Sequence, residues 1–369
     1  MPGSSLTARL YGLDTLRALA IVLVFTNHYE LFVTPGAFGF WGQIGWTGVD
    51  LFFALSGYLI GNQIFAALRS EHGFSLTHFY ARRFLRTLPN FYVVLALFYL
   101  WPAFRGDYAL LPVWKFLTFT QNINLTPGTA FSHAWSLCVE EQFYVLLPAV
   151  ALLIAACRRS LCWAWIAVAA SFVAGMLVRA YLWDEYVHVP KGGTGYYTYI
   201  YYASWCRFDE LVAGVALALL KNYHPAAWSR ITSHGNLTLL AGLAGTALTL
   251  ALFYHHHFDY RVTVLGYPAL AMSFSLLLVA ALSPGSALHA LRVPGAASLA
   301  LWSYAIYLLH KQLCVLLAPV LQRHGYALDG LPALAMMIIM SVVTGWLLYT
   351  LVETPFMYVR TRYFPSSQR

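Results

Sequence analysis

Residues Leu13 to Tyr29 read LDTLRALAIVLVFTNHY, an apolar run long enough to enter a bilayer, with Arg17 near one end and His28 near the other. An ionisable side chain inside a membrane span is costly and marks a function by default. On an α-helix the eleven residues from Arg17 to His28 make about three turns, leaving both on nearly one face, about 16 Å apart. One helix therefore points a cation and an imidazole into the same interior.

The rest of the chain supplies that interior. Of its 369 residues 60% are hydrophobic and only 10% charged, with a mean hydropathy of +0.63, against about a quarter charged in soluble domains. The composition is that of an all-α, polytopic membrane protein whose first partner is the lipid bilayer. The net charge of +8 comes from basic residues scattered in ones and twos between apolar spans, which argues for membrane topology and against nucleic acid. Cys138, Cys157, Cys162, Cys206 and Cys314 form no CxxC pair. They read as core thiols, with neither a disulfide framework nor a metal site indicated.

Windows of about 20 apolar residues, the length that crosses the hydrocarbon core, fall near 13–31, 46–67, 88–104, 135–156, 161–182, 204–221, 236–254, 262–282, 298–320 and 332–352. Ten spans put both termini on one side. With the N-terminus cytoplasmic, thirteen Lys and Arg face inward, from Arg9 to Arg369, against five outward: Arg105, Lys115, Lys191, Arg261 and Arg323. That asymmetry favours cytoplasmic termini in a cytoplasmic (inner) membrane. The polar start Met1 to Arg9 precedes a run too long for a cleaved signal. Residues 1–369 read as one membrane domain with no appended soluble part. The outer segment near 184–202, DEYVHVPKGGTGYYTYIYY, is dense in tyrosine; such rings anchor at the interface or stack on sugars.

Within this frame a few polar residues stand out. Asp50, early in WTGVDLFFALSGYLI, caps a helix or orients His28 from the next span, while Ser56 and Gly57 read as a small pair allowing close helix approach. Arg82, Arg83 and Arg86 lie within about one helical turn with no nearby acid, suiting either inward-face topology or bidentate capture of phosphates. In FSHAWSLCVEEQFYVLLP, which includes Trp135, Glu140 and Glu141 are consecutive and diverge by about 100°. One of them is expected to meet a buried arginine, Arg17 or Arg207. Arg207 and Asp209 are two apart on a helix, so each needs another partner. In SYAIYLLHK, Tyr307 and His310 are i, i+3 neighbours, and a His310–Lys311 doublet inside a span favours function over filling. His255, His256 and His257 lack the spacing of a helical zinc pair and read as a solvated turn.

Taken together these residues resemble the integral-membrane acyltransferase 3 family, whose members O-acylate glycans and some small molecules. The likeness rests on six ordered motifs: Asp14, Arg17 and His28 in the first span; Gly48 to Ile60; Arg82, Arg83 and Arg86; Trp135 to Pro148; Ser303 to His310; and Glu353 with Pro355. Thr15 stands where glycine is common in the family, and Lys311 where tryptophan is common. The resemblance implies acyl-CoA as donor, taken from the cytoplasm, an acceptor acylated at or beyond the membrane, and an essential arginine–histidine pair.

The expected chemistry follows. His28 is the general base on an acceptor hydroxyl that attacks the thioester of acyl-CoA, in the first instance acetyl-CoA, with Asp50 or Glu140 orienting the imidazole. Arg17 holds the donor or stabilises developing charge, and Arg82, Arg83 and Arg86 grip the nucleotide phosphates. No metal is required. The acceptor expected is a glycan, an exported or surface polysaccharide or its lipid-linked precursor. The alternatives are acylation of a small metabolite such as a macrolide, and a transporter or flippase for a lipid-linked sugar.

Overall fold

The computed structural model describes residues 9–71, 73–188 and 192–365. The first eight residues, Lys191 and Arg369, on which parts of the sequence reading drew, lie outside the described residues. The described residues are helical without strands. The main elements are α1 (Tyr11–Phe32), α2 (Thr47–Arg69), α3 (Leu76–Leu100), α4 (Trp135–Ala155), α5 (Ser160–Tyr186), α6 (Asp209–Tyr223), α7 (Gly235–His256), α8 (Tyr260–Leu282), α9 (Ala296–Arg323), α10 (Leu331–Leu348) and α11 (Thr354–Tyr363).

A helix stands at each expected window, and seven are long and apolar enough to cross a membrane: α2, α4, α5, α7, α8, α9 and α10. The other three are the polar or short ones. Helix α1 carries Asp14, Arg17 and Glu30, α3 begins with the arginine trio, and α6 has only 15 residues. Helix α3 starts twelve residues before the apolar window because Ser75 caps it, its hydroxyl accepting from the His78 amide at 3.3 Å. That start puts Arg82, Arg83 and Arg86 on the helix itself. Within the tyrosine-rich segment the described residues from Gly192 form a short helix Gly192–Tyr196 running into a π-helical turn Tyr197–Tyr201.

Association in lipid relies on close backbone approach and on polar contacts, because there is no water to expel between helices. Helices α2 and α6 use the first device. A Cβ on Gly57 would sit 2.0 Å from the Leu211 carbonyl oxygen, and one on Gly214 2.3 Å from that of Ala54. Gly57 is thus the small residue expected, whereas Ser56 turns away toward α4. Helix α5 uses the second: of its 27 residues only Gly175 and Arg179 are buried, and Arg179 reaches α6 through Asp209, at 2.5 and 3.1 Å. Helix α1 packs between α9 and α2, and α11 folds back on α3, where Arg82 donates to the Phe364 carbonyl and His78 to that of Pro365 at 2.7 Å.

The cysteines divide. Cys138, Cys206 and Cys314 are core thiols as expected, but Cys157 and Cys162 are exposed, because they sit at the junction of α4 and α5 where few helices pack.

Candidate active site

Helix α1 borders three cavities; the two that hold ionisable side chains lie toward its two ends, and the third, about 690 Å³ beside α9, holds none. The first, about 220 Å³, is lined by Arg17 of α1, Arg82, Arg83 and Arg86 of α3, Arg360 of α11, and the carboxylates of Glu140 and Glu141 on α4. The Arg83 guanidinium carbon lies over Tyr144, 4.1 Å from the ring centre. Glu140 accepts from Ser56 Oγ at 2.9 Å. Among the described residues none of these guanidinium groups comes within ion-pair distance of a carboxylate. The cavity is a set of cations held apart from their acids.

The second cavity, about 610 Å³, is lined by His28, His133, Lys311, Trp46, Trp135 and the tyrosines Tyr197, Tyr201 and Tyr202, with further aromatic and polar groups. The tyrosine cluster thus faces a cavity rather than only the interface. Val49 borders both cavities. Between them, Tyr307 shares a 2.7 Å hydrogen bond with Ser136 Oγ and donates to the His133 carbonyl. The Tyr307 and His28 rings are 6.5 Å apart.

The imidazoles fix one another's tautomers. His310 Nδ1 lies 2.9 Å from the Ile306 carbonyl, which can only accept, so Nδ1 carries the proton and Nε2 is left as an acceptor in the neutral ring. His28 Nδ1 approaches that Nε2 at 2.7 Å and is therefore the donor. The rings lie edge to edge and nearly coplanar, with centroids 4.9 Å apart and planes 11° from parallel, as an in-plane hydrogen bond requires. What remains on His28 is Nε2 with a free lone pair, which is the form a general base needs.

This corrects the expected partner. Neither Asp50 nor Glu140 faces the His28 imidazole. Asp50 is fully buried and ion-paired with Arg207, and Glu140 lies in the arginine cavity. The buried arginine expected for Glu140 or Glu141 is likewise not found as an ion pair, since Arg207 is taken by Asp50 and Arg17 faces the cavity. Arg207 sits in an aromatic box, its guanidinium carbon 5.2 Å from the Trp135 ring centre, 4.6 Å from Tyr201 and 4.5 Å from Tyr267. Asp14 pairs with Arg9 at 2.6 Å, and Arg9 also donates to the Ala297 carbonyl, tying the start of α1 to α9.

The histidine triplet is not one solvated turn. His255 and His256 are exposed, but His257 turns inward onto the edges of Trp46 and Tyr196, each with its centroid 5.3 Å away. Burial, with the Arg207 charge adding to it, pulls the His257 imidazole down to about 4.

Three residues were missed. His133 brings a third imidazole to the site, its ring 5.8 Å from His28; its place two residues before Trp135 was the available signal. Arg360 reads in the sequence only as one of the inward-facing charges after the last span, and Arg179 lies in an apolar helix with no acid at helical spacing to single it out. A separate groove of about 290 Å³ among α4, α5 and α6 is lined by apolar and hydroxyl side chains and brings no acid–base pair together.

A helical membrane protein with a histidine dyad, half-buried at His28 and buried at His310, beside an aromatic cavity that backs onto a polycationic one defines the class. The sequence model described as an acyltransferase domain, that of the acyltransferase 3 family, matches residues 10–350, and the chain belongs to that family. It is 27% identical over 97% of its length to YrhL of Bacillus subtilis, a protein named provisionally as a peptidoglycan O-acetyltransferase. It is 29% identical over 57% of its length to the peptidoglycan O-acetyltransferase OatA of Listeria monocytogenes, and 26% over 66% to the O-acetyltransferase OatA of Staphylococcus aureus. The chain spans 56%, 33% and 40% of the lengths of those three relatives. No solved structure matches it.

Proposed function

We propose that the protein is a membrane O-acyltransferase that moves an acetyl group from acetyl-CoA to a hydroxyl of a glycan. The observation that carries this reading is the His28–His310 dyad, which leaves a basic Nε2 on His28 facing the aromatic cavity, back to back with the arginine cavity. The arginine side takes the donor, because unpaired guanidinium groups suit pyrophosphate and phosphomonoester oxygens. The thioester then lies toward Tyr307. The acceptor hydroxyl, its proton taken by His28 Nε2, attacks the thioester carbonyl carbon. The carbon–sulfur bond breaks, and the proton passes from His28 to the departing thiolate, giving the ester and free CoA. Arg17 holds the donor and offsets charge developing on the carbonyl oxygen.

The membrane arrangement belongs to the same proposal. All ten long helices cross the cytoplasmic membrane, with the short α6 enclosed by its neighbours, and both termini are cytoplasmic. The arginine cavity then opens to the compartment that holds acyl-CoA, and His28 lies toward the outer face, where an exported polysaccharide or its lipid-linked precursor would be met. The names of the relatives support a glycan acceptor.

The test is His28→Ala, purified and reconstituted, with release of CoA from labelled acetyl-CoA as the readout. Transfer falls about 10²–10⁴-fold while acetyl-CoA binding is kept. Undiminished transfer by a folded variant would sink the assignment of the base. Movement of intact acceptor across the membrane with no CoA released would point instead to a transporter.

A further inference from the structure

The acceptor cavity contains one cation that the chemistry above does not use. Lys311 lies mid-way along α9, next to His310, and is only 3% exposed, yet its side chain lines the cavity. Its Nζ donates to Ser132 Oγ at 3.0 Å and sits 3.9 Å above the centre of the Phe32 ring. Neither group is charged. Among the described residues no carboxylate reaches ion-pair distance of Nζ. Glu30, an acid that also lines the cavity, is occupied elsewhere, its two oxygens accepting the Gly36 and Phe38 amides at 2.6 and 2.7 Å.

An ammonium group buried inside a membrane helix without a counter-charge is strongly disfavoured. Its neighbours are the Ser132 hydroxyl and the rings of Phe32 and, at 5.9 Å, Tyr108, which are all neutral, and an ammonium with three donors has capacity for a further acceptor from the cavity. The contrast with Arg179 and Arg207 is direct, since each of those buried cations has a carboxylate in this chain. The partner of Lys311 therefore comes with the ligand. The donor's phosphates do not supply it, because five arginines for them line the other cavity.

We infer that Lys311 binds a carboxylate of the acceptor, so that the substrate of this cavity is an acidic sugar, such as a uronic acid or a sugar bearing a lactyl ether. Its ring packs on Tyr197 and Tyr202, the partly exposed tyrosines of the cavity wall, while its carboxylate meets Nζ. This rests on the reading of the cavity as the acceptor site. Because Lys311 adjoins the histidine dyad, the carboxylate is carried by the sugar that receives the acyl group or by its immediate neighbour.

Binding can be measured without a donor, which separates this inference from the transferase reading. The full chain in lipid nanodiscs is titrated with glucuronic acid and N-acetylmuramic acid, each against its neutral counterpart, glucose and N-acetylglucosamine. At least one acidic sugar binds about tenfold or more tightly than its counterpart, the range for a buried charge-assisted hydrogen bond, and the preference weakens with salt. Lys311→Gln removes the preference and Lys311→Arg keeps most of it, with thermal midpoints recorded for both. Equal affinity for acidic and neutral sugars in the unmodified protein overturns the inference even if Lys311→Gln does not fold, and so does a folded Lys311→Gln that keeps the preference. His28→Ala retains the preference; if transfer is absent throughout but the preference stands, the transferase reading fails and the carboxylate site remains.

Discussion

Two sets of arginines occupy this molecule. Arg179 and Arg207 are completely buried and each is paired with an aspartate, Asp209 and Asp50. Arg17, Arg82, Arg83, Arg86 and Arg360 converge on a cavity with no ion pair among the described residues. The cost of burying charge is met internally in the first set and left to an incoming anion in the second. The first set holds helices together; the second is available for a ligand. Mutation should therefore separate them, stability responding in one set and donor affinity in the other.

The largest effect is expected at Asp209. Removing one partner of a buried ion pair strands the other charge and costs about 3–5 kcal/mol. Arg179 would keep the carbonyls of Cys206 and Val264, at 2.8 and 3.2 Å, and the Tyr267 ring at 5.3 Å, but no counter-charge. Since α5 buries nothing but Gly175 and Arg179, Asp209→Ala should undock that helix. The check is the thermal midpoint in detergent together with protease accessibility of the segment before Ser160. A variant as stable as the parent would mean that α5 is held by lipid-mediated packing and not by the pair.

Arg83→Ala sharpens the other half of the comparison. A single charged hydrogen bond to phosphate is worth about 1.5–3 kcal/mol, so KM for acetyl-CoA should rise about 10–100-fold. The thermal midpoint should move little, because Arg83 makes no direct ion pair and its closest side-chain contact is the Tyr144 ring. The rise should shrink as salt increases, since part of the attraction is screened in the parent as well. Collapse of the fold instead would place Arg83 with the structural arginines.

This division was only partly legible in the sequence. Helix positions were, because apolar runs of membrane length are a strong signal, and the apolar stretch around Arg17 and His28 already placed a cation and an imidazole on one helix face. Arg83 and Arg207 look alike in the sequence, each beside aromatic residues at the start of an apolar stretch. What separates them is a carboxylate 157 positions away in Asp50, a distance that periodicity cannot bridge. The same holds for His28. Carboxylates are the usual partners of a catalytic imidazole, so Asp50 and Glu140 were the natural expectation, but the partner is His310, 282 positions on. His310 looked functional because it sits inside a span, yet nothing local ties it to α1. Adjacent residues misled in the histidine triplet as well, since successive side chains on a helix end diverge by about 100° and only one of the three can turn inward.

That inward residue gives the smallest and most local test. His257 packs on Trp46 and Tyr196, close enough to feel the Arg207 charge, and its imidazole is pulled down to about 4 from an ordinary value near 6.5. As pH falls from 7, the unfolded chain takes up a proton at His257 from about 6.5, whereas the folded protein does so only near 4. The unfolded state binds more protons throughout that window, so stability declines as pH drops from 6.5 to 4 and gains nothing further from this residue above it. Other groups titrate in the same range, so the informative quantity is the difference between the parent and His257→Phe, in which the midpoint should depend less steeply on pH between 6.5 and 4. Equal slopes would mean that the packing beside Arg207 admits water to His257, and the separation between sealed, paired arginines and open, unpaired ones would then be narrower than the geometry indicates.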